Sequence, residues 1–151
     1  MKRPVPRAEL VRRARRAREG AYAPYSHYRV GAAVRAASGR VYTGCNVENV
    51  SYGLTVCAER NAIFTAVAAG ERRFDAIAVV TANGGTPCGA CRQVLAEFMP
   101  PDATIIISDA AGDALQVTTF EALLPDAFSP GKLREGTESA PRRHRVQRTQ
   151  K

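Results

Sequence analysis

Residues 76–108 read AIAVVTANGGTPCGACRQVLAEFMPPDATIIIS, and this stretch decides the fold class. Residues 76–81 form a compact apolar run of strand type, and Asn83-Gly84-Gly85 is a turn. Residues 87–98 then place Cys91, Val94, Leu95 and Phe98 on one face of a helix, and a second strand-like run follows at 104–108. A helix between two strands is the repeating unit of a layered α/β sheet. Working outward, residues 55–69 predict a helix that is apolar nearly all round, stopped at Gly70 and therefore buried in the centre. Residues 28–37 and 40–45 predict strands joined at Ser38-Gly39 as a hairpin. Near the start, Leu10, Ala14, Ala17 and Ala21 recur at i, i+4, i+7 and i+11, with Arg12, Arg13, Arg15, Arg16 and Arg18 mostly on other faces, which predicts an amphipathic helix. Downstream, residues 114–119 predict a last strand and residues 120–124 a short helix ended by Pro125. From Pro130 onward large apolar residues almost vanish, so the reading is one domain over 1–130 and a basic, disordered tail over 131–151. No internal repeat is found.

The 151 residues suffice for one domain, and 45% hydrophobic against 24% charged residues describes a globular chain with a core. The net charge of +8 invites a nucleic-acid reading, but its distribution argues against one. Residues 1–20 hold 8 basic and 2 acidic side chains, residues 131–151 hold 7 and 2, and residues 21–130 hold 7 and 10. The basicity belongs to the ends, where it adds at most weak, salt-sensitive attraction, and no specific nucleic-acid partner is expected. No apolar run approaches the ~18 residues of a membrane span, and no signal-type stretch opens the chain. The arginine load of the first helix also fits a transit peptide, but Pro4, Pro6 and the lack of serine favour a domain helix. A cytoplasmic protein is the expectation.

Four cysteines, Cys45, Cys57, Cys88 and Cys91, allow two disulfides in a secreted chain; in a reducing compartment such a set more often binds metal or does chemistry. Cys57-Ala58-Glu59 and Pro87-Cys88-Gly89-Ala90-Cys91 each place thiols in a first helical turn, where free amides and the helix dipole favour thiolates suited to Zn²⁺. Thr86 is expected to cap the second helix, with Pro87 at its first position. Three thiolates are one short of a closed structural site, so the count suits an open, catalytic zinc, one per subunit. Cys45 lacks metal-ligand spacing and reads as a small buried thiol. A lone Cys-x-x-Cys also permits a redox dithiol, but that leaves Cys57 and Glu59 without a purpose. Glu59 complements the helix dipole in the bland reading; in the sharper one it reaches the open coordination position and shuttles protons.

These elements are the zinc-deaminase signature with Cys in place of the first His, and the chain resembles small cytidine deaminases. The resemblance spans about residues 21–128. It rests on Ala-Tyr-Ala-Pro-Tyr-Ser (21–26), Val-Gly-Ala-Ala (30–33), Thr-Gly-Cys-Asn-Val-Glu-Asn (43–49), Cys-Ala-Glu-Arg (57–60), Pro-Cys-Gly-Ala-Cys-Arg-Gln (87–93) and Leu-Leu-Pro (123–125). It implies a three-layer αβα sandwich with a five-stranded mixed sheet, assembled as a homotetramer, and hydrolysis of cytidine and deoxycytidine to uridine and deoxyuridine with release of ammonia. It makes Cys57, Cys88 and Cys91 the zinc ligands and Glu59 the acid/base that protonates N3 and then the departing amino group. Asn46 and Glu48 match positions that hold ribose hydroxyls, while the Ala58 amide and Thr86 carbonyl read the base. Phe128 matches an aromatic lent to a neighbouring subunit's site; its alternative is a local core aromatic. Arg60 matches an arginine that hydrogen-bonds the cysteine sulfurs, which offsets the −1 charge of Zn²⁺ with three thiolates, whereas Arg92 reads as a brace for its helix or an interface.

The chain departs from the family pattern at three places. Tyr28 stands where a Phe packs on the pyrimidine, Arg29 replaces a frequent Pro, and the link from Thr81 to Thr86 is short. The alternative function is a related zinc aminohydrolase acting on a cytosine-like antibiotic nucleoside or a free base, which has no need of Asn46 and Glu48 for a sugar. A basic nucleic-acid module with structural zinc would need a fourth ligand and interleaved aromatics.

Overall fold

The computed structural model describes residues 5–112 and 115–135. The elements run α1 (Arg7–Glu19), β1 (Gly31–Ala36), β2 (Val41–Cys45), a 3₁₀ turn (Tyr52–Leu54), α2 (Ala58–Ala68), β3 (Phe74–Thr81), α3 (Gly89–Phe98), β4 (Thr104–Asp109), β5 (Leu115–Thr119), α4 (Phe120–Leu123) and α5 (Pro130–Glu135). The strands form one mixed sheet in the order β2-β1-β3-β4-β5. Only the β3/β4 pair is parallel, joined by the α3 crossover; the other pairs are antiparallel.

Both faces of the three central strands are covered, which explains why β3 and β4 read as continuous apolar runs. Successive side chains point to opposite faces. Ala33, Ala76, Ala78, Val80 and Ile106 pack with Leu10 and Ala14 of α1, while Ala32, Val34, Ile77, Val79, Ile105 and Ile107 face Ala62, Ile63 and Ala66 of α2 and Leu95 of α3. The result is the expected three-layer αβα arrangement with a five-stranded mixed sheet. Gly44 on β2 lets α2 lie close: a Cβ there would meet the Ala58 carbonyl oxygen at 2.6 Å and would also strike the Ala62 amide nitrogen.

Several expectations shift. The strand expected over 28–37 starts only at Gly31, because the Asn46 side chain captures the preceding backbone: its Oδ1 accepts from Val30 N–H (2.8 Å) and its Nδ2 donates to the Tyr28 carbonyl (2.8 Å). The helix expected from residue 55 starts at Ala58, since Val56 is held extended by reciprocal backbone bonds to Val47 (3.0 Å each). Nor is α2 buried all round: Ala58, Glu59, Ala62, Ile63 and Ala66 face inward, and Phe64 is exposed. The third helix begins at Gly89 with Cys88 as its N-cap, so the Thr86 cap and the Pro87 first position are both corrected. The Thr86 hydroxyl instead accepts from Arg92 Nη2 (3.0 Å). The tail expected to be disordered from Pro130 opens with α5, where Ser129 accepts from the amides of Lys132 and Leu133; a serine before a proline is a helix-start signal. The rest of the expected tail, residues 136–151, lies outside the described residues, as does Ala114 of the expected last strand. No helix among the described residues is long and apolar enough to cross a membrane.

Candidate active site

Cys57 and Cys88 are the N-cap residues of α2 and α3, both in extended backbone (ψ 157° and 167°), and neither side chain is used in capping. Cys91 lies one turn into α3 and is buried. The two helices therefore bring the positive ends of their dipoles to a single place. There the sulfurs of Cys57, Cys88 and Cys91 lie within 4.8 Å of one another, and Cys57 Sγ is 3.9 Å from Cys88 Sγ. A tetrahedral Zn²⁺ with Zn–S distances of about 2.3 Å sets its sulfurs about 3.8 Å apart, so the donors fit that ion and leave a fourth position to another ligand. Cys45, a free and half-buried thiol, is outside the cluster.

The electrostatics suit a cation among thiolates. The Cys57 thiol is pushed down to about 5, first by its hydrogen bond with Cys91 and, against the opposing effect of burial, by Arg60. Cys91 is pushed up by the neighbouring Cys57 sulfur and by burial. Arg60 Nη2 lies 3.4 Å from Cys57 Sγ, and Arg60 Nε is buried with no hydrogen-bond partner. Glu59 is 4% exposed, and burial raises its carboxyl to about 7.

Above this floor opens a cavity of about 260 Å³, lined by Cys57, Glu59 and Cys88 below and by Tyr28, Asn46, Glu48 and Thr86 at its walls. The Glu48 carboxylate accepts from the Tyr25 amide (2.9 Å), the Ser26 amide (3.2 Å) and the Ser26 hydroxyl, which hold it below its ordinary range, the hydroxyl most strongly. Asn46 spends Oδ1 and one N–H on backbone and keeps a second N–H. Ala58 is fully buried and opens α2 between Cys57 and Glu59. Arg92 donates to the carbonyls of Pro87 and Leu123 (2.7 Å each), tying the start of α3 to the end of α4. Phe128 is not in this chain's cavity; at 59% exposed it is also no core aromatic.

Sequence reasoning missed three contributors. Ser26, which buttresses Glu48, closes the Ala-Tyr-Ala-Pro-Tyr-Ser motif without a role of its own there. Thr81 looked like the plain end of a strand, yet its hydroxyl accepts from the Gly85 amide (2.7 Å) at the cavity edge. Asn83 read only as a turn residue.

A family model described as the cytidine and deoxycytidylate deaminase zinc-binding region matches residues 6–107. The cytidine deaminase of Halalkalibacterium halodurans is 50% identical over 125 residues, covering 82% of this chain and 94% of its own length. That of Sporosarcina psychrophila is 47% identical over 132 residues, covering 86% and 96%. Among solved structures, cytidine deaminase from Burkholderia pseudomallei superposes with a TM-score of 0.78 at 50% identity, covering 82% of this chain and all of that one. These matches do not favour the antibiotic-nucleoside or free-base alternative. With three clustered thiols beside a buried glutamate, and relatives of this identity aligned over most of both chains, the chain belongs to the cytidine and deoxycytidylate deaminase family.

Proposed function

We propose that this chain hydrolyses cytidine and deoxycytidine to uridine and deoxyuridine with release of ammonia, using Glu59 as its proton carrier. The observation that carries this is the buried Glu59 beside three sulfurs that converge from two helix starts at the floor of one cavity. Cys57, Cys88 and Cys91 would hold Zn²⁺, which when bound supplies Lewis acidity and lowers the pKa of water. Arg60 offsets the negative charge of the thiolates. Glu59 takes one proton from the attacking water and delivers it to N3 of the pyrimidine, then takes the remaining proton from the new C4 hydroxyl and delivers it to the amino group, so that the C4–N bond breaks, ammonia leaves and the C4 carbonyl forms. The Ala58 amide and Thr86 carbonyl orient the base, and Tyr28 offers its ring. Glu48 accepts from the sugar's hydroxyls, assisted by the remaining Asn46 N–H. Incubating the purified, zinc-loaded protein with cytidine should give uridine and ammonia in equal amounts; failure to convert cytidine and deoxycytidine overturns the reading.

The assembly proposed is a homotetramer in the cytoplasm. Val50, Tyr52, Leu54, Phe64 and Phe128 are all exposed on the isolated chain and offer apolar side chains for contact between subunits. Phe128 would then serve a neighbouring subunit's site. Four free cysteines suit a reducing compartment. The catalytic unit proposed is residues 1–130; truncation after Pro130 should leave turnover within about twofold, less than ~0.5 kcal/mol in the barrier, and a tenfold loss contradicts it.

A further inference from the structure

The segment between β3 and α3 carries Thr86 and Cys88 into the cavity without regular structure of its own. Two side-chain contacts hold it. On the inner side the Thr81 hydroxyl accepts from the Gly85 amide (2.7 Å), and on the outer side the Tyr28 hydroxyl donates to Asn83 Oδ1 (2.7 Å) across 55 residues of sequence. Thr81 Oγ1 also lies 3.4 Å from Asn83 Oδ1, so the contacts form one connected set. Gly85 is matched to it: a Cβ there would fall 2.5 Å from the Tyr28 hydroxyl oxygen, so the absence of a side chain leaves room for that hydroxyl. Tyr28, Thr81, Gly85 and Thr86 all line the cavity, and Tyr28 itself is only 37% exposed.

We propose that the Tyr28–Asn83 hydrogen bond is a latch that fixes the segment 82–86 against the cavity, and that it makes Asn83 a positioning residue for nucleoside binding. The Tyr28 hydroxyl, which distinguishes this chain from the phenylalanine of the family pattern, is directed to Asn83 rather than to the base. The chain thereby presents an aromatic face to the pyrimidine while using its polar edge to hold the opposite wall, where the Thr86 carbonyl sits. An open latch lets that wall move and weakens ground-state binding, while Glu59 in α2 and Cys91 in α3 are held by their helices. The inference rests on the cytidine reading for its kinetic arm only.

Four zinc-loaded proteins test it: wild type, Tyr28→Phe, Asn83→Ala and Asn83→Asp. Amide hydrogen exchange without substrate should speed up over residues 82–86 in Tyr28→Phe and Asn83→Ala, and stay near wild type in Asn83→Asp, which keeps an acceptor for the hydroxyl. The KM for cytidine should rise about three- to tenfold in the first two, the range expected for loss of one neutral hydrogen bond, with kcat falling by less. The double variant Tyr28→Phe, Asn83→Ala should be no worse than either single one, since both remove the same bond. Unchanged exchange in Tyr28→Phe overturns the latch. Faster exchange with an unchanged KM overturns its role in binding. Multiplying effects in the double variant overturn the pairing. If wild type does not turn over cytidine, the proposed function fails while the exchange arm still decides the latch.

Discussion

Replacing Gly44 by alanine tests how the sheet positions the catalytic helix. The added Cβ would meet backbone rather than movable side chains: the Ala58 carbonyl oxygen at 2.6 Å, the Asn61 carbonyl carbon at 2.9 Å and the Ala62 amide nitrogen. These atoms belong to the first two turns of α2, so relief requires shifting the helix away from β2. Forcing extra volume into a packed contact costs about 1–3 kcal/mol, and for a chain of this size each kcal/mol lowers Tm by about 3–4 °C. Gly44→Ala should therefore melt roughly 3–12 °C below wild type by circular dichroism. Because the shifted turns carry Cys57 and Glu59, kcat should fall as well, a misplacement of about 1 Å being worth up to about a hundredfold. Gly53→Ala is the matched control, since a Cβ there meets nothing within 4 Å; it should change stability by less than about 0.5 kcal/mol. If Gly44→Ala melts with wild type and keeps its kcat, the close approach of α2 to β2 does not position the site.

Glu71 accepts from Ser38 Oγ (2.7 Å) and pairs with Arg40 (2.6 Å), contacts that lower its pKa from 4.5, the serine contributing most. A depressed folded-state pKa adds stability above the unfolded value of 4.5 and loses it as pH falls through the lower folded value. Glu71→Gln should accordingly lose less stability than wild type on acidification below about pH 4.5, as read by urea melts across pH; parallel pH curves count against it. Glu48→Gln should lower kcat/KM for cytidine about tenfold to a hundredfold, as expected for a charge-assisted bond worth ~1.5–3 kcal/mol, with zinc content unchanged by elemental analysis. Unaltered kcat/KM excludes the sugar-binding role.

Much of the fold was legible because local and global signals agree in the centre of the chain. The compact apolar runs of β3 and β4 read as strands, and the Cys91, Val94, Leu95, Phe98 stripe reads as one side of a helix. The cluster was legible because its chemistry demands thiols at fixed spacing. The features that escaped depend on distant partners. Asn46 delays the start of β1 by bonding backbone 16 and 18 residues away, and no local propensity at Tyr28 or Val30 reports that. Cys57 and Cys88 sit one step outside their helices because Val56 pairs with Val47 and because Arg92, not the helix, occupies the Thr86 hydroxyl. The Tyr28 contact with Asn83 spans 55 residues, beyond any periodicity. Ser129-Pro130, by contrast, is readable as a helix start, but the polar composition of residues 131–151 outweighed that local signal.

The most direct test of the account is the turnover of Glu59→Gln at full zinc occupancy. Glutamine keeps the volume and a hydrogen bond but carries no proton between water, N3 and the leaving amino group. The account predicts one zinc per chain, an unchanged fold and kcat for cytidine lowered by about 10²–10⁴-fold. A zinc-loaded Glu59→Gln enzyme that keeps more than about a tenth of the wild-type rate, where acid–base catalysis is ordinarily worth at least about a hundredfold, contradicts it.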